Sequence, residues 1–151
     1  MSRRAIAIAL KIPDNTARTA QTALRRLGVD AAYLERSEIW RFDDSGDSAT
    51  IVARVGRNES IFNANKHRLI VLDDIEPRAG EIWVERLGNG DATRRNAGGR
   101  PIEGATDLRR CVGWRFLRQN GDPENIDLLR RAASSLLCNP AIERALLREV
   151  L

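Results

Sequence analysis

Apolar residues at alternating positions near the start of the chain predict a β-strand. Over positions 4–12, Ile6, Ile8 and Leu10 recur with a period of two, so their side chains share one face. Pro13 lacks the amide hydrogen that a continuing strand would need. We therefore expect the first strand to end before Pro13.

The next stretch, 16–27, has the spacing of an amphipathic helix. Its apolar residues recur every three or four positions, which brings them onto one stripe that can face a sheet. They are Ala17, Ala20, Ala23, Leu24 and Leu27. Asp14 or Asn15 is placed to accept from the free amides of the first turn. Gly28 stands where a left-handed residue would end the helix.

Residues 31–42 contain aromatic and β-branched side chains and predict a second strand. The cluster 43–47, Asp-Asp-Ser-Gly-Asp, has the composition of a turn, and it lacks the spacing and closing glutamate of a calcium loop. The segment Thr50–Val55 is again rich in β-branched residues. It predicts a hairpin partner for the second strand.

The middle of the chain predicts further strands and one long loop. Residues 68–72, 81–87 and 111–117 each have the length and composition of a strand. The stretch 88–107 is rich in glycine, asparagine and aspartate, and it predicts a mobile loop of about twenty residues. It has neither of the glycine patterns that cradle phosphates, so we do not expect a nucleotide site there.

A second amphipathic helix is predicted near the carboxyl end. Asp122 and Pro123 have the composition of a helix start, with aspartate as the cap and proline in the first turn. The stripe that follows is Ile126, Leu129, Ala133, Leu136 and Leu137. Asn139-Pro140 ends the pattern. The last segment, 141–151, has a spacing that also suits a helix, and its state stays open.

Composition places the chain among globular proteins. The 151 residues suit one domain over 1–151, and 42% hydrophobic with 30% charged residues is enough to form a packed core. There is no run of apolar residues long enough to cross a membrane and no recognisable secretory signal, so we expect a cytoplasmic protein. The net charge of +4 comes from basic residues scattered among 21 acidic ones, which makes nucleic-acid binding an unfavoured alternative.

The residues that could carry chemistry show no catalytic or metal-binding pattern. His67 is the single histidine, and we interpret it as a surface or turn residue. Cys111 and Cys138 lack the paired spacing of a zinc or redox site, and we interpret both as small buried residues. The three tryptophans lie in strand-like runs, where core packing explains them better than base stacking. We therefore expect no catalytic residues, no metal and no cofactor.

Motifs at the two ends of the chain resemble PurS, the small subunit of phosphoribosylformylglycinamidine synthase. The first strand closing in Leu10-Lys11, the Pro13-Asp14 turn and the helix ending in Leu24-Arg25-Arg26-Leu27-Gly28 are similar to that family's opening. Leu136-Leu137-Cys138-Asn139-Pro140 is similar to the end of its second helix. The resemblance covers 4–55 and 122–151, and 56–121 is then a β-rich insertion. Ser37-Glu38 replaces the family's usual Gly-Lys.

The resemblance implies an α+β fold, a ferredoxin-like two-layer sandwich with two helices on one face of an antiparallel sheet that the insertion extends. It also implies a strand at 145–151. The implied function is a non-catalytic accessory subunit in purine biosynthesis, a homodimer or larger oligomer that bridges the glutaminase and synthetase subunits. The expected partner contacts are Lys11, Asp14, Arg36, Glu38 and Arg41. The alternative is a diverged ferredoxin-like module that binds a small molecule or another protein without a purine role.

Overall fold

Six antiparallel strands form one sheet in the computed structural model, which describes residues 2–87 and 102–148. The strands are β1 (Ser2–Leu10), β2 (Tyr33–Asp44), β3 (His67–Val71), β4 (Glu81–Arg86), β5 (Thr106–Leu117) and β6 (Glu143–Leu147). Their order across the sheet is β3-β1-β2-β5-β4-β6. The helices are α1 (Asn15–Arg26), α2 (Ser48–Gly56) and α3 (Ile126–Ala132), and α3 continues as a π-helical turn, Ala133–Leu137.

Helices α1, α2 and α3 pack on the same face of the sheet, which we call the helical face. Strand register carries Ile6 of β1 opposite Trp40 of β2, and Trp40 opposite Arg110 of β5, so these residues and their alternate neighbours share that face. Helix α2 packs Ile51 and Val55 onto one end of it. Helices α1 and α3 pack onto the other end in a second apolar cluster. The helical face therefore carries two cores side by side.

The first helix forms as its sequence predicts. The Asp14 carboxylate accepts hydrogen bonds from the amides of Thr16 and Ala17, so it caps the first turn. Leu24 is buried against the sheet, whereas Leu27, the last residue of the predicted stripe, is 54% exposed. Gly28 follows with φ +87°, the left-handed conformation expected after the helix.

The predicted strand Thr50–Val55 is wrong, because this segment lies within helix α2. Asp47 accepts from the amide of Thr50 at 2.8 Å and caps the helix. Ile51 and Val55 are four positions apart, so they lie on one helical stripe, and both are fully buried. Burial of this stripe outweighs the weak strand preference of its β-branched residues.

Residues 88–101 of the predicted loop 88–107 lie outside the described residues, 102–105 have no regular secondary structure, and the prediction is wrong at 106–107, which belong to a strand. Ile102 and Ala105 are buried in the core beside α2, and β5 begins at Thr106 rather than at 111. Arg109 and Arg110 interrupt the apolar pattern of this segment, so the sequence does not predict that the strand begins before them.

The carboxyl-terminal helix begins later than predicted. Asn125, not Asp122, accepts from the amide of Leu128 at 2.9 Å and caps α3, while Pro123 forms a bridge with Leu117 of β5. The helical segment ends before Asn139, as predicted. The strand implied over 145–151 is present as β6 in the part that the structure describes, and 149–151 lie outside it.

The segment 72–80 covers the opposite face of the sheet. Strand β3 lies at one edge and β4 next to the other, so their connection has to cross one face. Leu72 is buried there in a cluster with Ile39 and Trp83. Gly80 permits a close approach at the end of the crossing, because a Cβ atom there would lie 2.8 Å from the Phe116 carbonyl oxygen. We call residues 72–80 the crossing segment.

The α+β class and the antiparallel sheet with helices on one face are confirmed, with α2 as an additional helix in the described part of the chain. Leu24 of α1 shares one core with Leu128 and Leu129 of α3, so the helices from the two ends of the chain pack together. The strand order differs from the split βαβ unit of a ferredoxin-like sandwich, because β1 and β2 pair directly and antiparallel.

The segment 56–121 supplies β3, β4 and β5, and it reaches the centre of the sheet. Strand β5 pairs with β2 along most of its length. Strand β4 lies between β5 and β6, so β6 joins the sheet only through β4. Within 2–87 and 102–148, no helix has the length and apolar character needed to cross a membrane.

Candidate functional site

A cleft of about 630 Å³ opens on the helical face between the two cores. Its floor is formed by β1, β2 and β5, and its rim by the start of α1 and by the segment that follows α2. The lining residues are Ile8, Leu10, Asp14, Arg36, Ser37, Glu38, Trp40, Glu59, Ser60, Ile61, His67, Arg110 and Val112. Small-ligand sites typically have volumes of about 300–1,000 Å³.

Three charged side chains stand on the floor of this cleft. Arg36 and Glu38 project from β2, and Arg110 projects from β5, all toward the helical face by strand alternation. The neighbouring positions on the same face, Leu34 and Phe42, are apolar and pack into the two flanking cores. The charged positions therefore mark the gap between the cores, where no helix covers the sheet.

Arg36 is held by the cap of α1. Its Nε donates to Asp14 Oδ2 at 3.0 Å, and a second nitrogen lies 3.5 Å from Asp14 Oδ1. The Asp14 side chain is 14% exposed and that of Arg36 is 33% exposed. The same carboxylate caps α1, so this pair ties the start of the helix to the sheet and balances its own charges.

Glu38 and Arg110 have no such partner. In the described parts of the chain, neither side chain forms a hydrogen bond or an ion pair, although both are half-buried. Glu38 lies opposite Val112, two positions from Arg110 on the same face. These diagonal neighbours are about 7–8 Å apart in an antiparallel sheet. The floor of the cleft thus presents one anion and one cation that do not form an ion pair with each other.

Trp40 adds a third unpartnered polar group. It lies directly opposite Arg110, and the residue is 2% exposed. Its indole nitrogen is buried and has no hydrogen-bond partner among residues 2–87 and 102–148. A buried donor without a partner costs about 1–3 kcal/mol. Because this nitrogen has almost no solvent-exposed surface, Trp40 presents to the cleft only the small exposed part of its side chain.

The rim contributes one imidazole. His67 begins β3, and its Nδ1 accepts from the amide of Asn63 at 2.9 Å, which leaves the ring proton of the neutral form on Nε2. The ring packs beside Phe62, with centroids 6.0 Å apart. The interpretation of His67 as a turn or surface residue missed its position on the cleft.

The structure brings three of the five predicted contact residues together. Asp14, Arg36 and Glu38 line the cleft. Lys11 lies near it but does not line it, and its Nζ donates to the Ala64 carbonyl at 2.7 Å. Arg41 lies on the opposite face, where it pairs with Glu85.

Sequence reasoning missed Arg110 and the missing partner of the Trp40 indole nitrogen. Arg110 fell outside the strand predicted to start at 111. Extending the period of two back from Val112 would have placed Arg110 on the helical face beside Glu38. Nothing in the sequence marks the indole nitrogen of Trp40 as unpartnered, because that depends on the packing around it.

The two cysteines lie away from the cleft lining. Burial raises the pKa of Cys111 to about 12. Partial burial and the nearby Glu143 raise the pKa of Cys138. Among residues 2–87 and 102–148, no group of three histidine, cysteine or acidic side chains is close enough together to hold a metal ion.

No protein-family model matches this chain, and no curated protein matches it. The resemblance of the terminal motifs to PurS therefore stays a proposal. Function has to be inferred from the geometry of the cleft.

Proposed function

We propose that this protein is a non-catalytic binding module that holds a small charged molecule in the cleft on the helical face. One observation carries the proposal. Two charged groups without partners in the described structure, the Glu38 carboxylate and the Arg110 guanidinium, line the same cleft, with the nearly buried Trp40 beside them.

The partial loss of hydration at the unpaired charges favours binding of a ligand in the cleft. Half-buried charges lose part of their hydration and gain no ion pair in return, so a ligand that supplies partners recovers that loss. Hydrogen bonds to charged groups contribute about 1.5–3 kcal/mol each. Two such bonds, with apolar contact to the cleft walls, are enough for a specific small-molecule site.

The cleft is also built on rigid elements. Its floor is the pairing of β1, β2 and β5, the most extensively paired strands of the sheet. Arg36 is fixed by Asp14, and Asp14 by the amides of α1. Sites on paired strands hold their side chains more accurately than sites on loops, which lowers the entropic cost of binding.

Thermal unfolding against a panel of amino acids, nucleotides and small organic acids and amines tests this proposal. A ligand at a hundred times its dissociation constant stabilises the fold by about 2.7 kcal/mol. Ser60→Trp, at the exposed rim, should reduce the shift by filling the cleft entrance. Ser45→Trp, at an exposed turn that does not line the cleft, is the matched control and should leave the shift unchanged. A panel without any stabilising member would contradict the proposal.

A second candidate is the PurS-like accessory subunit, favoured by the gathering of Asp14, Arg36 and Glu38 with Lys11 close by. In this proposal the cleft receives a side chain of a synthetase or glutaminase subunit, the chain forms a homodimer or larger oligomer, and the location is cytoplasmic. It requires a ferredoxin-like ancestor whose strand order has changed. Capture of neither subunit by the tagged protein from its native lysate would rule against this candidate.

A further inference from the structure

We infer that the ligand of the cleft is a small zwitterion of the α-amino acid class, with its ammonium group at Glu38 and its carboxylate at Arg110. This inference rests on the proposed binding function and names its substrate class. It follows from three features of the cleft: the balance of charge, the register of the two unpaired charged groups and the apolar residues of the walls.

A ligand that matches the unpaired charges of the cleft floor carries one positive and one negative group. Arg36 and Asp14 neutralise each other at 3.0 Å, which leaves Glu38 and Arg110 as the unmatched charges of the floor. A ligand with a single charge would satisfy one of them and leave the other half-buried and unpaired, which is unfavourable. Glu59, the other acid of the lining, is exposed to solvent at the rim and needs no partner.

The register places the two unpaired charges, Glu38 and Arg110, about 7–8 Å apart, a spacing that one small ligand can span. Arg110 lies directly opposite Trp40, and its guanidinium can donate to a ligand carboxylate. Glu38 precedes Trp40 by two positions on the same face of β2. An ammonium group on the carbon next to that carboxylate can reach the Glu38 side chain.

The walls of the cleft indicate the kind of substituent. Ile8, Leu10, Ile61 and Val112 line it with half-buried or buried apolar surface. Removal of an aliphatic side chain from water against these residues contributes about 25 cal/mol per Å² of apolar area. An amino acid with an aliphatic side chain therefore fits the cleft better than a polar one.

Calorimetric titration of the full chain with leucine, leucinamide and N-acetylleucine tests the inference. Leucine carries both charges, leucinamide keeps only the ammonium and N-acetylleucine keeps only the carboxylate. We expect leucine to bind about tenfold or more tightly than either analogue, the effect of one charge-assisted hydrogen bond. Arg110→Gln should weaken leucine and leave leucinamide unchanged, and Glu38→Gln should weaken leucine and leave N-acetylleucine unchanged.

Two matched controls keep the same chemistry on the other face of the sheet. Arg109 lies one position from Arg110, and Glu35 lies three positions from Glu38. Both are exposed, and both side chains point away from the cleft. Neither Arg109→Gln nor Glu35→Gln should alter leucine binding. If the unmutated protein bound leucine and both analogues with equal affinity, the zwitterion assignment would be overturned. This test does not depend on whether the variants fold. A panel in which only nucleotides or simple acids bind would also overturn the assignment, although the cleft would then still be a binding site. If nothing in the panel binds, both proposals fail.

Discussion

Arg36 of β2 donates from Nε to Oδ2 of Asp14, the residue that caps α1, over 3.0 Å. One carboxylate thus serves two elements, because it also accepts from the first amides of the helix. The pair sets the height of the α1 terminus above the sheet, and with it one wall of the cleft. It also removes Arg36 from the charges that a ligand has to match.

Replacing Asp14 separates its two roles. Asp14→Ala removes the cap and should lower the free energy of unfolding by about 0.5–2 kcal/mol, whereas Asp14→Ser keeps a capping oxygen and should lose less. The ion pair with the partly exposed Arg36 contributes only about 0–1 kcal/mol. Urea unfolding measures both variants. Equal losses for the two would show that capping is not the larger role.

The buried ion pair between Asp44 and Arg54 should contribute more to the free energy of unfolding than the ion pair of the neighbouring, more exposed Asp43. Arg54 donates to Asp44 Oδ1 at 2.8 Å, and the Asp44 side chain is 2% exposed. Asp44→Asn keeps the shape but removes the charge, and should cost about 1.5–3 kcal/mol, the contribution of a hydrogen bond to a charged group. Asp43→Asn, next in sequence and 36% exposed, is the control and should change stability by less than about 1 kcal/mol.

The same pair predicts a pH dependence. The Arg54 hydrogen bond, opposed by burial, holds the pKa of Asp44 below its ordinary value. The folded protein therefore binds this proton less readily than the unfolded chain, so the stabilisation is present above the unfolded-state pKa and is lost as pH falls through the folded-state pKa. Between about pH 5 and pH 3, the wild-type protein should lose more stability than Asp44→Asn. Parallel curves for the two proteins would contradict this assignment.

The two thiols should differ sharply in reactivity. Burial raises the pKa of Cys111 to about 12, so almost none of it is thiolate near neutral pH. Cys138 also has a raised pKa but is partly exposed. A chromogenic disulfide reagent should therefore modify Cys138 slowly in the folded protein and Cys111 only after unfolding. Rapid modification of the folded Cys138→Ser variant would show that Cys111 is accessible.

Leu72 should anchor the crossing segment to the face of the sheet opposite the helical face. It is 9% exposed and packs in the cluster with Ile39 and Trp83. Leu72→Ala should lower the free energy of unfolding by about 2–5 kcal/mol. Ile75→Ala, in the same segment but 42% exposed, should have a much smaller effect. Similar losses at the two positions would mean that the segment is not held by Leu72.

The parts of the fold that sequence predicted are those where local signals agree. Helix α1 has a cap, an apolar stripe and a terminal glycine, and each of them alone gives the same answer. Helix α2 was missed because Ile51, Val52 and Val55 prefer strands locally, and only burial of Ile51 and Val55 on the sheet decides for a helix. The strand order could not be read from the sequence, since pairing partners far apart in the chain leave no local trace.

The candidate site was predicted in part for the same reason. Asp14, Arg36 and Glu38 were named from their places at a strand end and on the second strand, and they meet in the cleft. Arg110 joins them only through the pairing of β5 with β2, which brings together residues about seventy positions apart. The missing partner of the Trp40 indole depends on three-dimensional packing alone.

The measurement that tests the cleft most directly is a titration with leucine followed by the indole N–H signals of the three tryptophans in heteronuclear NMR spectra. Trp40 lines the cleft, whereas Trp83 lies on the opposite face and serves as an internal control. Trp40→Phe identifies the relevant signal. We predict that the Trp40 signal moves with saturation and that the Trp83 signal stays in place. An unmoved Trp40 signal, while a ligand demonstrably binds, would contradict the assignment of the cleft as the binding site.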